Sequence, residues 1–319
     1  MNLTLMAVML LASGSSGNGS APKAPEVWNP GQGRTQVNLW SGKIPSPVKL
    51  SEPESLIHVT DKPVGGKPWY VVNNVSTPTL TVYKPTRSVT KTAMIVYPGG
   101  GYNLLAIDLE GSEICEWLNS IGITAILVKY RVPTPKVGRY HESLQALQDA
   151  QRAISLVRSK SKALNIDPKK IGVIGFSAGG HLIAAVSTRF NKRSYPRQDS
   201  IDDISCRPDF AVPLYPGHLS PGSEVGQGSA AKREGLTLNP NIKVTKDTPP
   251  TFLVQSQDDP VDDPRNSLSY FLALQEAKVP VELHMFSHGG HAFGLRKGTM
   301  PVGDWPNLLE RWLRHMKFL

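Results

Sequence analysis

Two hydrophobic periods alternate along the chain from residue 79 onward. Residues 79–83, Thr-Leu-Thr-Val-Tyr, alternate as a strand does, and residues 93–97, Ala-Met-Ile-Val-Tyr, form a short unbroken apolar run suited to a sheet covered on both faces. Ile114, Trp117, Leu118 and Ile121 then recur at helical spacing, closed by Gly122 as a C-terminal cap, before a second apolar run at 123–128. A helix is predicted over about 143–164, with Leu144, Leu147, Ile154 and Val157 on one face, followed by a buried strand at 170–176 and an apolar helix that begins directly after Ser177. Further strands are predicted at 210–215, 251–256 and 281–286, with helices at about 266–277 and 307–316. Strands alternating with helices predict an α/β architecture: a mostly parallel, doubly wound sheet with helices on both faces.

The earlier residues carry no such pattern. Residues 22–67 are rich in Pro, Gly and Ser without a sustained period, so residues 22–74 are expected to form an extended N-terminal segment leading into a catalytic domain at 75–319. Residues 3–12 are a short apolar run followed by small polar residues up to Ala21, the shape of a signal peptide over 1–21, although the first basic residue is Lys23. This leads to the expectation of a secreted or periplasmic protein. The long irregular stretch at 216–250 is expected to border the substrate site, because structureless loops of that length in compact domains are usually functional or mobile.

Composition narrows the classes. The formal charge of +9 comes from scattered Lys and Arg, with no arginine-rich run and no basic motif interleaved with aromatics, so nucleic acid is not an expected partner. The N-terminal apolar run is too short to span a bilayer, and no stable membrane association is expected. Cys115 and Cys206 are too few for a disulfide framework, although a single bridge between them is left open.

The candidate chemistry lies where strands end. Gly175-Phe-Ser177-Ala-Gly179 fits a nucleophile elbow, a serine on a tight strand-to-helix turn, and it has the apolar strand before it and the apolar helix after it that the motif requires. A serine hydroxyl needs a base to take its proton, and that base needs an acid to hold its tautomer. On this topology the acid follows one late strand and the histidine the next. Asp258, Asp259, Asp262 and Asp263 follow the strand at 251–256; Asp258, standing first, is preferred to Asp259, while the other two read as solvated or helix-capping. Among His284, His288 and His291, the last sits in a Gly-rich loop that can aim its ring at the sheet edge and is taken as the base. His181 reads as a structural residue near the site.

The glycine-rich loop Tyr97-Pro-Gly-Gly-Gly101-Tyr102 follows an early strand, where backbone N–H groups can cradle a developing oxyanion. The expected donors are Gly100, Gly101 and Ala178, and Tyr102 is assigned to substrate binding. Neither a zinc-ligand spacing nor a calcium loop is present, and no cofactor is required.

Several segments together, Pro98-Gly-Gly-Gly-Tyr102, Leu127-Val-Lys-Tyr-Arg131, Asp149-Ala-Gln-Arg152, Gly175-Phe-Ser-Ala-Gly-Gly-His181 and Gly289-Gly-His-Ala-Phe-Gly294, resemble the bacterial acetylxylan-esterase-like branch of the α/β-hydrolases over about residues 79–319. The resemblance implies an exported serine carbohydrate esterase that removes acetyl, and sometimes feruloyl, groups from hemicellulose, with an acylated polysaccharide or oligosaccharide as its substrate. It carries the triad onto Ser177, Asp258 and His291 and the oxyanion hole onto Gly100, Gly101 and Ala178. The chain departs from that branch at Asp262-Asp263, where a Val-Pro pair is more familiar. A prolyl-oligopeptidase-like peptidase is the alternative; it would bring a propeller or other gating domain, for which the residues before Thr79 are too few. A non-catalytic polysaccharide-binding relative is disfavoured by the presence of all three triad residue types.

Overall fold

The computed structural model describes residues 25–86, 90–134, 143–221, 235–296 and 298–319. The signal-peptide expectation at 1–21 lies outside these residues, as does the 222–234 part of the long loop.

Eleven strands are described: β1 (Gln36–Asn38), β2 (Ser55–Val64), β3 (Lys67–Asn73), β4 (Thr79–Tyr83), β5 (Ala93–Tyr97), β6 (Leu104–Leu105), β7 (Thr124–Lys129), β8 (Ile171–Phe176), β9 (Phe210–Leu214), β10 (Thr251–Ser256) and β11 (Val281–Phe286). The helices are α1 (Glu113–Ser120), α2 (Leu144–Ser159), α3 (Ser161–Leu164), α4 (Ala178–Thr188), α5 (Arg265–Glu276) and α6 (Trp305–His315). Eight strands form one sheet in the order β1-β4-β7-β5-β8-β9-β10-β11, parallel from β7 to β11 and antiparallel at β1 and β4. Every residue of β5, β7, β8, β9 and β10 is buried. Their largely apolar runs are what burial on both faces demands. The polar exceptions include Lys129, paired with Glu54, and Gln255, bonded to Asp259 and Ser267. Each buried Val, Leu or Ile side chain contributes about 1.5–3 kcal/mol relative to an exposed one. At the edge, β11 has no fully buried residue. Among the described residues, no helix is long and apolar enough to cross a membrane.

The N-terminal segment is more ordered than its composition suggests. Within residues 25–74, β1 pairs with β4 in the main sheet, while β2 and β3 form a hairpin that β6 extends to a second, three-stranded sheet. Residues 39–46 are fastened to the domain by two buried arginines. Arg131 Nε donates to Asp149 Oδ2 at 2.9 Å and its guanidinium reaches the Pro45 carbonyl at 2.6 Å, while Trp40 Nε1 donates to Asp149 Oδ1 at 2.9 Å. Arg152 Nε donates to the Leu39 carbonyl at 3.0 Å, and its terminal nitrogens bind Asp199 and Asp202. Both Arg131 and Asp149 have fully buried side chains, a geometry in which neither partner can be lost without stranding the other's charge. The Arg131 and Asp149-to-Arg152 segments thus clamp the chain's N-terminal part against α2. Cys115 and Cys206 are buried free thiols, and no bridge joins them.

Candidate active site

Ser177 stands between β8 and α4 with φ 52° and ψ −119°, a conformation an L-residue keeps only where its surroundings enforce it. The surroundings do. Ser177 N–H donates to the Leu214 carbonyl at 3.0 Å, and its own carbonyl accepts from His181 N–H at 3.0 Å. A Cβ on Gly175 would lie 2.3 Å from the Gly179 carbonyl oxygen, and one on Gly179 would lie 2.1 Å from that of Tyr97, so the elbow closes only with both glycines. The serine is held at the sheet's C-terminal edge, only 8% exposed, with its hydroxyl toward the loops that follow β10 and β11.

His291 comes from the loop after β11. Its Nε2 lies 3.0 Å from Ser177 Oγ and its Nδ1 2.8 Å from Asp259 Oδ2. The carboxylate that meets the imidazole is therefore Asp259, which corrects the preference for Asp258. Asp259 is locked in place: Oδ1 accepts from Val261 N–H at 2.8 Å and Asp262 N–H at 2.9 Å, and Oδ2 also accepts from Gln255 Nε2 at 3.2 Å. Gln255 in turn accepts from Ser267 Oγ on α5 at 2.9 Å. Asp258, one residue earlier in the turn, points the other way. Its Oδ1 accepts from Gly289 and Gly290 N–H at 2.9 and 2.8 Å, and its Oδ2 lies 3.3 Å from His288 Nδ1, so it braces the histidine loop from outside. Those backbone donors, Gly290 first, hold the Asp258 carboxyl below the usual carboxylate range.

The glycine-rich loop packs directly on the elbow, since a Cβ on Gly99 would lie 2.9 Å from that of Ser177. Gly99 N–H donates to Glu110 Oε2 at 2.8 Å. Gly100, with φ 133°, has its missing Cβ position 2.1 Å from the Leu104 carbonyl oxygen, and Gly101 follows with φ 61°. Gly100 and Gly101 thus sit on this loop beside the elbow, and Ala178 opens α4. Tyr102 departs from its expected role. Its left-handed φ of 59° turns the ring inward, where it is fully buried and its hydroxyl lies 2.6 Å from His181 Nδ1. It supports the site from behind instead of facing a substrate.

Glu110 and Tyr215 at the site were not singled out from the sequence, and Asp262, expected to be solvated or helix-capping, is instead largely buried against Ser177. Glu110, in a π-helical turn before α1, is buried and accepts from Tyr215 Oη at 2.9 Å as well as from Gly99. Burial pushes its carboxyl pKa up. The Tyr215 ring packs edge-on against His291 at 5.0 Å, and its hydroxyl accepts from Gly294 N–H at 3.4 Å. Glu110 and Tyr215 therefore tie the glycine-rich loop to the histidine loop. Asp262 is the second carboxyl group: its Oδ2 accepts from Ser177 Oγ at 3.2 Å and lies 3.8 Å from His291 Nε2. Burial raises the Asp262 pKa, against the opposing charges of His291 and His218.

Burial alone would lower the His291 pKa, but the Asp259 hydrogen bond and the charges of Asp262, Asp259 and Glu110 outweigh it, and the pKa is pushed up to about 9. A raised histidine pKa stabilises the folded protein fully below the unfolded value of about 6.5, and that contribution is lost as pH rises through about 9. A base is useful only when neutral. kcat/KM for an alkyl acetate, followed by pH-stat, is therefore expected to rise with pH along a limb centred near 9. Asp262→Asn removes one of the charges that favour the imidazolium, so the limb should move to lower pH; an unmoved limb would show that Asp262 does not act on the ring.

A serine hydrogen-bonded to a histidine that a carboxylate orients, next to a loop of backbone donors, is equipped for nucleophilic attack on a carbonyl. Comparison with known proteins agrees with this architecture. The alpha/beta hydrolase fold family matches residues 94–239, and the prolyl oligopeptidase family matches residues 222–317. The crystal structure of an acetyl ester-xyloside bifunctional hydrolase from Caldicellulosiruptor lactoaceticus superposes with a TM-score of 0.69 at 35% identity, covering 94% of this chain and 100% of that one. The endo-1,4-beta-xylanase B of Butyrivibrio fibrisolvens is 32% identical over 223 residues, 67% of this chain and 34% of that protein. An acetylxylan esterase of Xylanibacter ruminicola is 28% identical over 215 residues, 63% of this chain and 41% of its own length. The chain thus aligns with well under half the length of each of these two curated relatives. By fold, strand order and these similarities, the chain belongs to the α/β-hydrolases, in their acetylxylan-esterase-like branch.

Proposed function

We propose that the protein is a serine carboxylic-ester hydrolase that removes acetyl groups, and by extension feruloyl groups, from xylan or a related hemicellulose. The observation that carries the reading is the chain of contacts from Ser177 Oγ through His291 to Asp259, at 3.0 and 2.8 Å. Ser177 Oγ attacks the ester carbonyl carbon while its proton passes to His291 Nε2. Gly100, Gly101 and Ala178 N–H groups stabilise the oxyanion. The intermediate then collapses, the bond to the alcohol oxygen breaks, and His291 returns the proton to the departing sugar hydroxyl. Water adds to the acyl-enzyme, giving a proton to His291; the bond to Oγ breaks, the carboxylic acid leaves and Ser177 regains its proton.

The xylan part of the reading is supported by relatives named for acetylxylan and for acetyl ester-xyloside hydrolysis. Export is supported by the apolar run at residues 3–12 followed by small residues. The test is acetate release from acetylated xylan beside hydrolysis of p-nitrophenyl acetate, butyrate and octanoate and of a prolyl peptide anilide. The proposal expects acetate release from the polysaccharide and the fastest turnover with the acetyl ester. Cleavage of the peptide with no ester hydrolysed would replace it with a peptidase function.

A further inference from the structure

Asp262 is a carboxylate in contact with the proposed nucleophile, in a position that the ester-hydrolysis mechanism does not use. Its side chain is only 14% exposed, and Gly217 leaves the space it fills, since a Cβ there would lie 2.6 Å from Asp262 Oδ1. Its own N–H is held by Asp259 Oδ1 at 2.9 Å and its carbonyl accepts from Gln255 Nε2 at 3.4 Å, so the carboxylate is aimed from a fixed backbone.

The Ser177 hydroxyl has one proton and two acceptors, His291 Nε2 at 3.0 Å and Asp262 Oδ2 at 3.2 Å. Attack on an ester requires that proton to point at His291. At that moment Asp262 Oδ2 loses its hydroxyl donor, and a largely buried carboxylate oxygen left without a donor is costly. A substrate can restore the hydrogen bond only with a donor of its own near Nε2, and the ester's alcohol oxygen must lie there to receive the proton from His291. Oδ2 is 3.8 Å from Nε2, within reach of a hydroxyl on the carbon next to the esterified one.

We infer that Asp262 is a substrate-binding residue that accepts a hydrogen bond from a free hydroxyl adjacent to the ester, making the preferred substrates monoesters of vicinal diols. This rests on the esterase reading and sharpens it: a sugar ring acylated at one position with its neighbour free fits, and a simple alkyl or aryl ester lacks the donor. A valine at this position could not accept such a bond.

The probes are the monoacetate of trans-cyclohexane-1,2-diol and cyclohexyl acetate, which differ by one hydroxyl. Their kcat/KM ratio is taken relative to their ratio for hydroxide-catalysed hydrolysis, which removes intrinsic reactivity. The wild type is expected to favour the hydroxy ester by about tenfold to a hundredfold beyond that baseline, the range for a hydrogen bond to a charged group. Asp262→Val should bring the ratio back to the baseline, and Asp262→Asn, which keeps a neutral acceptor, should fall between. A wild-type ratio at the baseline overturns the inference whether or not the variants fold, as does a preference that survives in folded Asp262→Val. Turnover of p-nitrophenyl acetate by the wild type, lost in Ser177→Ala, separates this failure from failure of the esterase reading. If no ester is hydrolysed, that reading falls and this inference with it.

Discussion

Replacing Ser177 by alanine is expected to lower kcat for a short acyl ester about a millionfold, because nucleophile, base and acid act as one unit and losing the attacking atom disables all three. What survives is the contribution of the oxyanion donors and of substrate binding, about a thousandfold to ten-thousandfold over water. The substitution suits this position. Alanine keeps the Cβ that already tolerates φ 52°, so the turn should be no more strained than with serine, and the contacts of the Ser177 backbone with Leu214 and His181 do not involve the hydroxyl. The expected outcome is near-complete loss of ester hydrolysis with a Tm within about 4 °C of the wild type, on the scale of about 2–4 °C per kcal/mol for a domain of this general size. A folded variant with more than a hundredth of wild-type turnover would show that another group attacks the carbonyl.

How much of this was legible depended on whether the signal was local. Strands at 79–83, 93–97, 251–256 and 281–286 fall where the sequence patterns predict them. The strand at 93–97 is apolar throughout because it is buried on both faces, whereas 79–83 alternates and 281–286, at the sheet edge, mixes polar with apolar residues and has none fully buried. Ser177 was visible because the elbow needs glycines two residues to either side, which is a sequence pattern. The hairpin of β2 and β3 was not predicted, although Gly65-Gly66 joins two β-branched runs there, because Pro63 and Pro68 lower the strand signal. Glu110 offers no signal of its own. It is an acidic residue in a turn until the fold brings Tyr215, 105 positions away, against it. Tyr102 was misassigned because neighbouring the glycine loop says nothing of which way a ring turns, and a left-handed φ sent it inward.

The choice between Asp258 and Asp259 is the sharpest case of this limit, and it sets up the second large effect: Asp259→Asn is expected to cost about ten-thousandfold in kcat, and Asp258→Asn less than about tenfold. Two adjacent residues in a tight turn face different directions, so the backbone and not the residue type decides which one meets His291. In Asp259→Asn the amide has a forced orientation. Its oxygen must stay where Oδ1 accepts from Val261 and Asp262 N–H, which places the amide nitrogen 2.8 Å from His291 Nδ1. There an NH2 group donates where a carboxylate accepted, so Nδ1 becomes the acceptor and Nε2 carries the proton. Nε2 then cannot take the Ser177 proton. The pH limb should also move below 9, since the Asp259 hydrogen bond is the largest favourable contribution to the imidazolium. In Asp258→Asn the amide oxygen can keep accepting from Gly289 and Gly290 N–H, and only the exposed contact with His288 is lost. kcat values for the two variants on one alkyl acetate decide the matter, and the reverse ranking would return the acid's role to Asp258.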